Sequence, residues 1–245
     1  MAIPERPKTG PAANLVAYAD PKSAAAEAYR SLRTSIQFAG LDHKCRTILM
    51  TSASPGEGKS TTVANFGVVM AQTGSRVCLI DSDLRRPTLH RVFGLSNSKG
   101  LTTALLEGLP FGQVAQATSV PNLFVLTSGP VPPNPAELVG SNRMRESLEA
   151  VVEEFDMILL DSPPLVSVSD AVALAAFTDG VILVVHTGKV PHEVIRRAAG
   201  QLHAVKGRIL GVVMNAVNLK RDGYYYDYYR YYQSYYAQSE GKKGR

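Results

Sequence analysis

The residues of this chain best suited to chemistry are a lysine, two hydroxyls and three aspartates. The lysine lies in "TSASPGEGKSTT", residues 51–62. Such a glycine-bearing loop between a strand and a helix curls bare backbone N–H groups around phosphate oxygens. In this Walker A pattern, with Ala53 in place of the first glycine, Ser54, Pro55, Gly56, Glu57, Gly58, Lys59, Ser60 and Thr61 form the expected nucleotide cradle. Lys59 is expected to reach the β- and γ-phosphates, and the Ser60 hydroxyl to ligate magnesium. "MILLDSPP" from residue 157 carries Asp161 to the end of an apolar run, the Walker B position for a magnesium ion or its water. "VCLIDSDLRRP" from residue 77 adds Asp81 and Asp83 past a second apolar run, with Arg85 and Arg86 following. Two carboxylates at i and i+2 can share a metal and a hydroxyl proton. Asp81 is the first choice as base, with Asp83 positioning the hydroxyl. Lys59, Asp81, Asp83 and Asp161 are thus the expected catalytic set, and Ser60, Asp81 and Asp161 the expected metal ligands.

These residues need a sheet edge to hold them. Short apolar runs begin at residues 47, 76, 123, 157, 180 and 209, continuous rather than alternating, as in strands covered on both faces. Helical patterns fall between them at 59–72, 141–154, 169–176 and 191–205. The rhythm implies an α/β fold, a mainly parallel sheet flanked by helices. Asn215 ends the last run in "VVMNAV". Its amide can read an adenine edge or simply close a turn, and the spacing leaves both open.

Before the sheet, residues 1–20 are rich in Pro and Ala and read as a flexible arm. Pro21–Ala39 reads as a helix, with Ser23 as N-cap and Ala25, Ala28, Leu32, Ile36 and Ala39 as a buried stripe. Glu27, Arg30 and Arg33, three apart, form a charged arc opposite that stripe. By spacing alone this is a solvated face with one weak ion pair. The ordered pattern, 21–219, is one domain, and 220–245 reads as a disordered tail.

Composition narrows the setting. Of 245 residues 45% are hydrophobic, enough for a core, but no apolar run is long enough to span a bilayer. The N-terminus lacks a signal-peptide core. Cys45 and Cys78 form no metal pattern, and a cytoplasmic location is expected. The formal net charge is +5, of which residues 220–245 carry +3. That segment also holds nine of the eleven tyrosines: Tyr224, Tyr225, Tyr226, Tyr228, Tyr229, Tyr231, Tyr232, Tyr235 and Tyr236. Aromatics outnumber basic residues there and no RNA-binding pattern accompanies them, which argues against nucleic acid.

Together, Walker A, Walker B and "LIDSDLRRP" resemble the bacterial tyrosine kinases (BY-kinases) of capsule and exopolysaccharide biosynthesis, in which the third motif is the Walker A′ element. "EAYRSLRTSIQF" at 27–38 resembles that family's E-x-x-R-x-x-R helix, and "PPNPAELV" at 132–139 a loop of the family. The resemblance spans almost the whole chain. It implies an ATP- and Mg2+-dependent protein-tyrosine autokinase whose C-terminal tyrosines are the phosphoacceptors. It implies self-association into a homo-oligomer, a ring in expectation, through Glu27, Arg30 and Arg33. It further implies a separate membrane-anchored activator at the inner face of the plasma membrane, a tyrosine phosphatase and external protein substrates. The competing reading is a nucleotide-switched ATPase of the partitioning or division-site type, which positions a partner. Those proteins carry a signature lysine five residues before the catalytic one, where this chain has Ser54.

Overall fold

The computed structural model describes residues 15–39 and 45–218. Helices α1 (Val16–Ala19) and α2 (Ala24–Ala39) precede strand β1 (Thr47–Ser52), helix α3 (Lys59–Ala71) and strand β2 (Val77–Asp81). Three short helices follow, α4 (Leu89–Phe93), α5 (Leu101–Glu107) and α6 (Phe111–Val114), then β3 (Gln116–Ala117) and β4 (Leu123–Leu126). Helices α7 (Pro135–Val139) and α8 (Asn142–Val151) lead to β5 (Met157–Asp161), α9 (Asp170–Ala175), β6 (Gly180–His186), α10 (His192–Ala204) and β7 (Ile209–Asn215).

The strands form one seven-stranded sheet in the order β3-β4-β2-β5-β1-β6-β7. Every pairing is parallel except β3 with β4. Alternate residues of each strand feed opposite cores. Ile48, Met50, Leu79, Leu159 and Ile182 point to the side of α3, while Leu49, Ile80, Leu160 and Leu183 point to the other. Burial on both faces explains the unbroken apolar runs of the inner strands, but the edge strand β7 departs from that expectation, with Val212 and Met214 exposed. Helix α3, which leaves the phosphate loop directly, is buried from Thr62 to Ala71, so the loop is anchored at the middle of a layer.

Two sequence expectations shift at the N-terminus. The arm expected to run loosely through residue 20 is packed from Leu15 onward. Leu15 and Ala17 are buried, the Ala17 N–H donates to Asn65 Oδ1 at 2.9 Å, and Gln72 Nε2 donates to the Ala17 carbonyl. Helix α2 starts at Ala24 rather than Pro21, because Ser23 caps it by accepting the Ala26 N–H at 3.2 Å. Its inward stripe is also rotated from the expected one. Ala26 and Ile36 are buried with Tyr29 and Leu32 half-buried, while Ala25 and Ala28 are exposed. The larger side chains set the docking face, and single methyl groups have too little area to compete.

Candidate active site

Between β1 and α3, residues 53–58 make the tight curl anticipated for a phosphate cradle. Gly56 and Gly58 adopt φ of 72° and 88°, left-handed values that side chains resist. At Gly58 space is decisive as well: a Cβ there would lie 2.0 Å from Asn215 Nδ2. Helix α3 then presents its first peptide N–H groups and the positive end of its dipole toward the curl.

The acidic groups gather by strand register. Asp81 and Asp161 end the neighbouring strands β2 and β5 as direct partners. Lys59 Nζ reaches between the strands, 3.1 Å from Asp83 Oδ2 and 3.5 Å from Asp161 Oδ1, and also 3.3 Å from Ser60 Oγ. Asp83 Oδ1 accepts the Arg86 N–H. Asp81 Oδ2 accepts the N–H groups of Thr88 and Leu89 at 2.9 Å each, which ties it to the start of α4. Asp81 Oδ1 and both oxygens of Asp161 are buried and make no hydrogen bond.

That shortage shows in the protonation equilibria. Burial, with the neighbouring Asp161 charge, pushes Asp81 up to about 8. Burial also raises Asp161, although Lys59 and Ser60 work against it. For Lys59, burial favours the neutral amine, but Asp161 and Asp83 outweigh it and hold the ammonium above its usual range. Oxygen acceptors with no donor, beside a serine hydroxyl, are the donor set of a hard divalent cation. Among the described residues no three His, Cys, Asp or Glu side chains converge on one point. A cation here would therefore keep water or phosphate oxygens as its other ligands, as magnesium does.

A cavity of about 600 Å³ opens over the curl. Pro55, Gly56, Gly58, Lys59, Ser60 and Thr61 line it, as does Asp83. Ser54, Glu57, Asn215, Asp81 and Asp161 do not. Asp81 and Asp161 lie beneath it. Glu57 is turned inward, and Asn215 Nδ2 donates to the Glu57 carbonyl at 2.8 Å, so that amide is engaged with the loop. The cavity is also lined by Pro163, Pro164 and Val168, which follow β5, and by Val92 with Arg85, Arg86 and Thr88, which follow β2. Arg85 joins them with a two-pronged bond to the buried Asp170, at 3.0 and 3.1 Å. Asp170 escaped sequence reading. It opens α9, 85 residues from Arg85, and nothing in its local pattern signals a partner.

The remaining expected site residues lie elsewhere. Arg30 Nη1 pairs with Glu27 Oε2 at 2.6 Å, and its Nη2 donates to the Pro21 carbonyl. Arg33 is not opposite the packed face: its Nη1 lies 3.4 Å from the Val69 carbonyl of α3. The tyrosines from Tyr224 to Tyr236 fall outside the described residues, as does Leu219.

A parallel sheet with a phosphate loop after β1, a lysine between strand-end aspartates and a covering cavity defines a P-loop nucleotide-binding protein. Residues 45–209 match the AAA domain family. Tyrosine-protein kinase YwqD of Bacillus subtilis is 45% identical over 215 residues, which cover 86% of this chain and 91% of that one. The kinase domain of the Escherichia coli tyrosine kinase ETK superposes with a TM-score of 0.80 at 33% identity, covering 83% of this chain and 80% of that one. The cell division ATPase MinD of Pyrococcus furiosus shares the architecture at a TM-score of 0.60 and 25% identity, covering 69% of this chain and 71% of that one. The chain belongs to the bacterial tyrosine-protein kinases, and its activity is that of an ATP-dependent protein-tyrosine kinase.

Proposed function

We propose that the chain is an autokinase that transfers the γ-phosphate of ATP to its own C-terminal tyrosines, and that this reaction regulates exopolysaccharide or capsule synthesis and export. The observation that carries the reading is Lys59 suspended between Asp83 and Asp161 at the floor of the cavity. Its ammonium is held charged and aimed at the space over the loop. A triphosphate entering that space offers Lys59 stronger partners, and the ammonium turns from Asp83 to the phosphate. Asp83, on the cavity wall, is then released to take the phenol proton. A tyrosine pKa near 10 means the proton must leave as the phosphate arrives. Asp83 is thus better placed as base than Asp81, which is pinned beneath the floor by Thr88 and Leu89. Asp81, Asp161 and Ser60 would hold magnesium, which supplies charge neutralisation across the β- and γ-phosphates. The apolar walls Val92, Pro164 and Val168 suit an aromatic acceptor. Asn215, at the end of β7 beside the loop, serves the base side of the nucleotide once freed from the Glu57 carbonyl.

No helix among the described residues is long and apolar enough to cross a membrane. In this reading a separate membrane-anchored activator brings the chain to the cytoplasmic face of the plasma membrane. Glu27, Arg30 and Arg33 face neighbours in a ring-shaped homo-oligomer, exchanging in-chain partners for intersubunit ones, so that tails reach adjacent sites. External protein substrates use the same cleft, and a tyrosine phosphatase resets the cycle. Incubation with γ-labelled ATP and magnesium tests the central claim. Label on Tyr224–Tyr236 is expected. Release of free phosphate with no protein label would instead support the switch ATPase.

A further inference from the structure

Glu57 sits within the phosphate loop but has its side chain turned away from the cavity and fully buried. Both carboxylate oxygens are used. Oε1 accepts the Ser54 N–H at 2.5 Å, and Oε2 accepts the His186 N–H at 2.9 Å. The carboxylate thereby ties the start of the loop to the end of β6, 129 residues away. The adjoining carbonyls are held as well, that of Gly56 by Lys189 Nζ at 3.1 Å and that of Glu57 by Asn215. A buried carboxylate is costly unless both oxygens are bonded to donors. Here the donors are backbone N–H groups, so the loop is held to the sheet at each turn of its curl.

We infer that Glu57 is a positioning residue that keeps the loop curled for phosphate before nucleotide arrives. The inference rests on the ATP reading and deepens it. It concerns neither the transferred group nor the cation. Its consequence is preorganisation: apparent affinity scales with the fraction of loops already in the competent curl. An amide at this position has one acceptor oxygen and directs an NH2 group at a backbone N–H. One buried donor is then left unpaired, and the curl competes with relaxed conformers. Once a triphosphate is bound it helps organise the loop, so affinity should suffer more than turnover.

The test uses the full chain carrying Glu57→Gln. Fluorescent N-methylanthraniloyl-ATP is titrated with magnesium present, tyrosine labelling is timed over ATP concentrations up to saturation, and thermal unfolding is followed. The expected result is nucleotide affinity weakened about 5- to 150-fold, the range for one buried donor left unpaired. The apparent KM for ATP should rise by the same factor as the dissociation constant, a larger change than any in the saturated labelling rate. Unchanged affinity overturns the inference, and so does a collapsed saturated rate with affinity intact. If the variant does not fold, amide exchange on the nucleotide-free wild type decides: slow exchange at Ser54 and His186 supports the tether, and fast exchange at both overturns it. Failure of the wild type to bind the probe would overturn the ATP reading itself, an outcome distinct from a failed tether.

Discussion

Aspartates staple both ends of the sheet, but the two ends treat them differently. At the N-terminal end, Asp179 Oδ2 accepts the N–H groups of Arg46 and Thr47 at 2.8 Å, and Asp156 Oδ2 accepts that of Arg76 at the same distance. Both residues are exposed, so water serves their remaining lone pairs. At the C-terminal end, Asp81 and Asp161 are fully buried and three of their four oxygens have no hydrogen-bond donor. The exposed pair completes strand starts and asks for nothing more. The buried pair is left under-satisfied, a state that favours an incoming cation and is tolerated because Lys59 and retained protons offset part of the charge.

Substitutions can break this contrast, and the largest effect is expected at its centre. Lys59→Met should reduce tyrosine labelling at least about 100-fold, as loss of a charge aimed at the transferred group does. The chain should still fold, since the carboxylates can take up protons in its place. A folded variant that labels at the wild-type rate would refute the site assignment.

Arg85→Ala comes next. It strands the buried Asp170, but Arg85 is itself two-fifths exposed. The cost should therefore be about 1–2 kcal/mol, below the ~3–5 kcal/mol of a fully buried pair. In a domain of this size that is a fall in Tm of roughly 2–8 °C. No shift by calorimetry would mean that water replaces the guanidinium without loss.

The two ends of the sheet should then respond with opposite signs. Asp81 binds its proton more tightly folded than unfolded, with the folded value near 8. Ionising it therefore erodes stability as pH rises from about 4 through 8, and the erosion is complete above that. In metal-free protein at pH 8.5, Asp81→Asn should raise Tm by a few degrees, with a smaller gain at pH 5. Asp179→Ala should lower Tm slightly, by about 1 kcal/mol of stability, because two strand-start N–H groups exchange a carboxylate for water. Equal signs in parallel melts would erase the distinction. Adding magnesium should raise the wild type more than Asp81→Asn.

The smallest effect on the fold is expected from Arg30→Glu. The Arg30–Glu27 pair is an exposed i, i+3 bridge, so the monomer should change by under about 1 kcal/mol. Sedimentation should nonetheless show smaller assemblies, with slower autophosphorylation. Unchanged assemblies would return Glu27 and Arg30 to the role of a solvated face.

Legibility in the sequence followed burial. Strands β1 and β6 fall where their apolar runs predict, because residues enclosed on both faces leave no polar interruption. Strand β3 has two residues on the antiparallel edge and offers no period to detect. The short helices α4 to α7 are likewise too brief to show one. In the site, the loop at 54–61 was readable since its geometry is local. The pairing of Asp81 with Asp161 was not, because strand order is decided by packing across the whole sheet. The inward turn of the Glu57 side chain is hidden for the same reason: its partner His186 is invisible from positions nearby. Spacing alone puts Ala25 and Ala28 on the apolar stripe of α2, but Ala26 and Tyr29 take the packed face in their place, with Leu32 and Ile36 as expected.

The tether between loop and sheet has a bearing on synthesis. Asn215 meets the Glu57 carbonyl across 158 residues of chain. At roughly 5–20 residues per second, translation needs about 8–30 s to supply the second partner after the first. Until then the emerging fragment carries a phosphate loop that lacks its β7 brace, with the earlier contacts from His186 and Lys189 to hold it. The tyrosines, a few residues beyond Asn215, leave the ribosome immediately afterward. On the proposed autokinase reading, catalyst and acceptor thus mature together, and a chain stalled before β7 lacks both the Asn215 brace and the tyrosines.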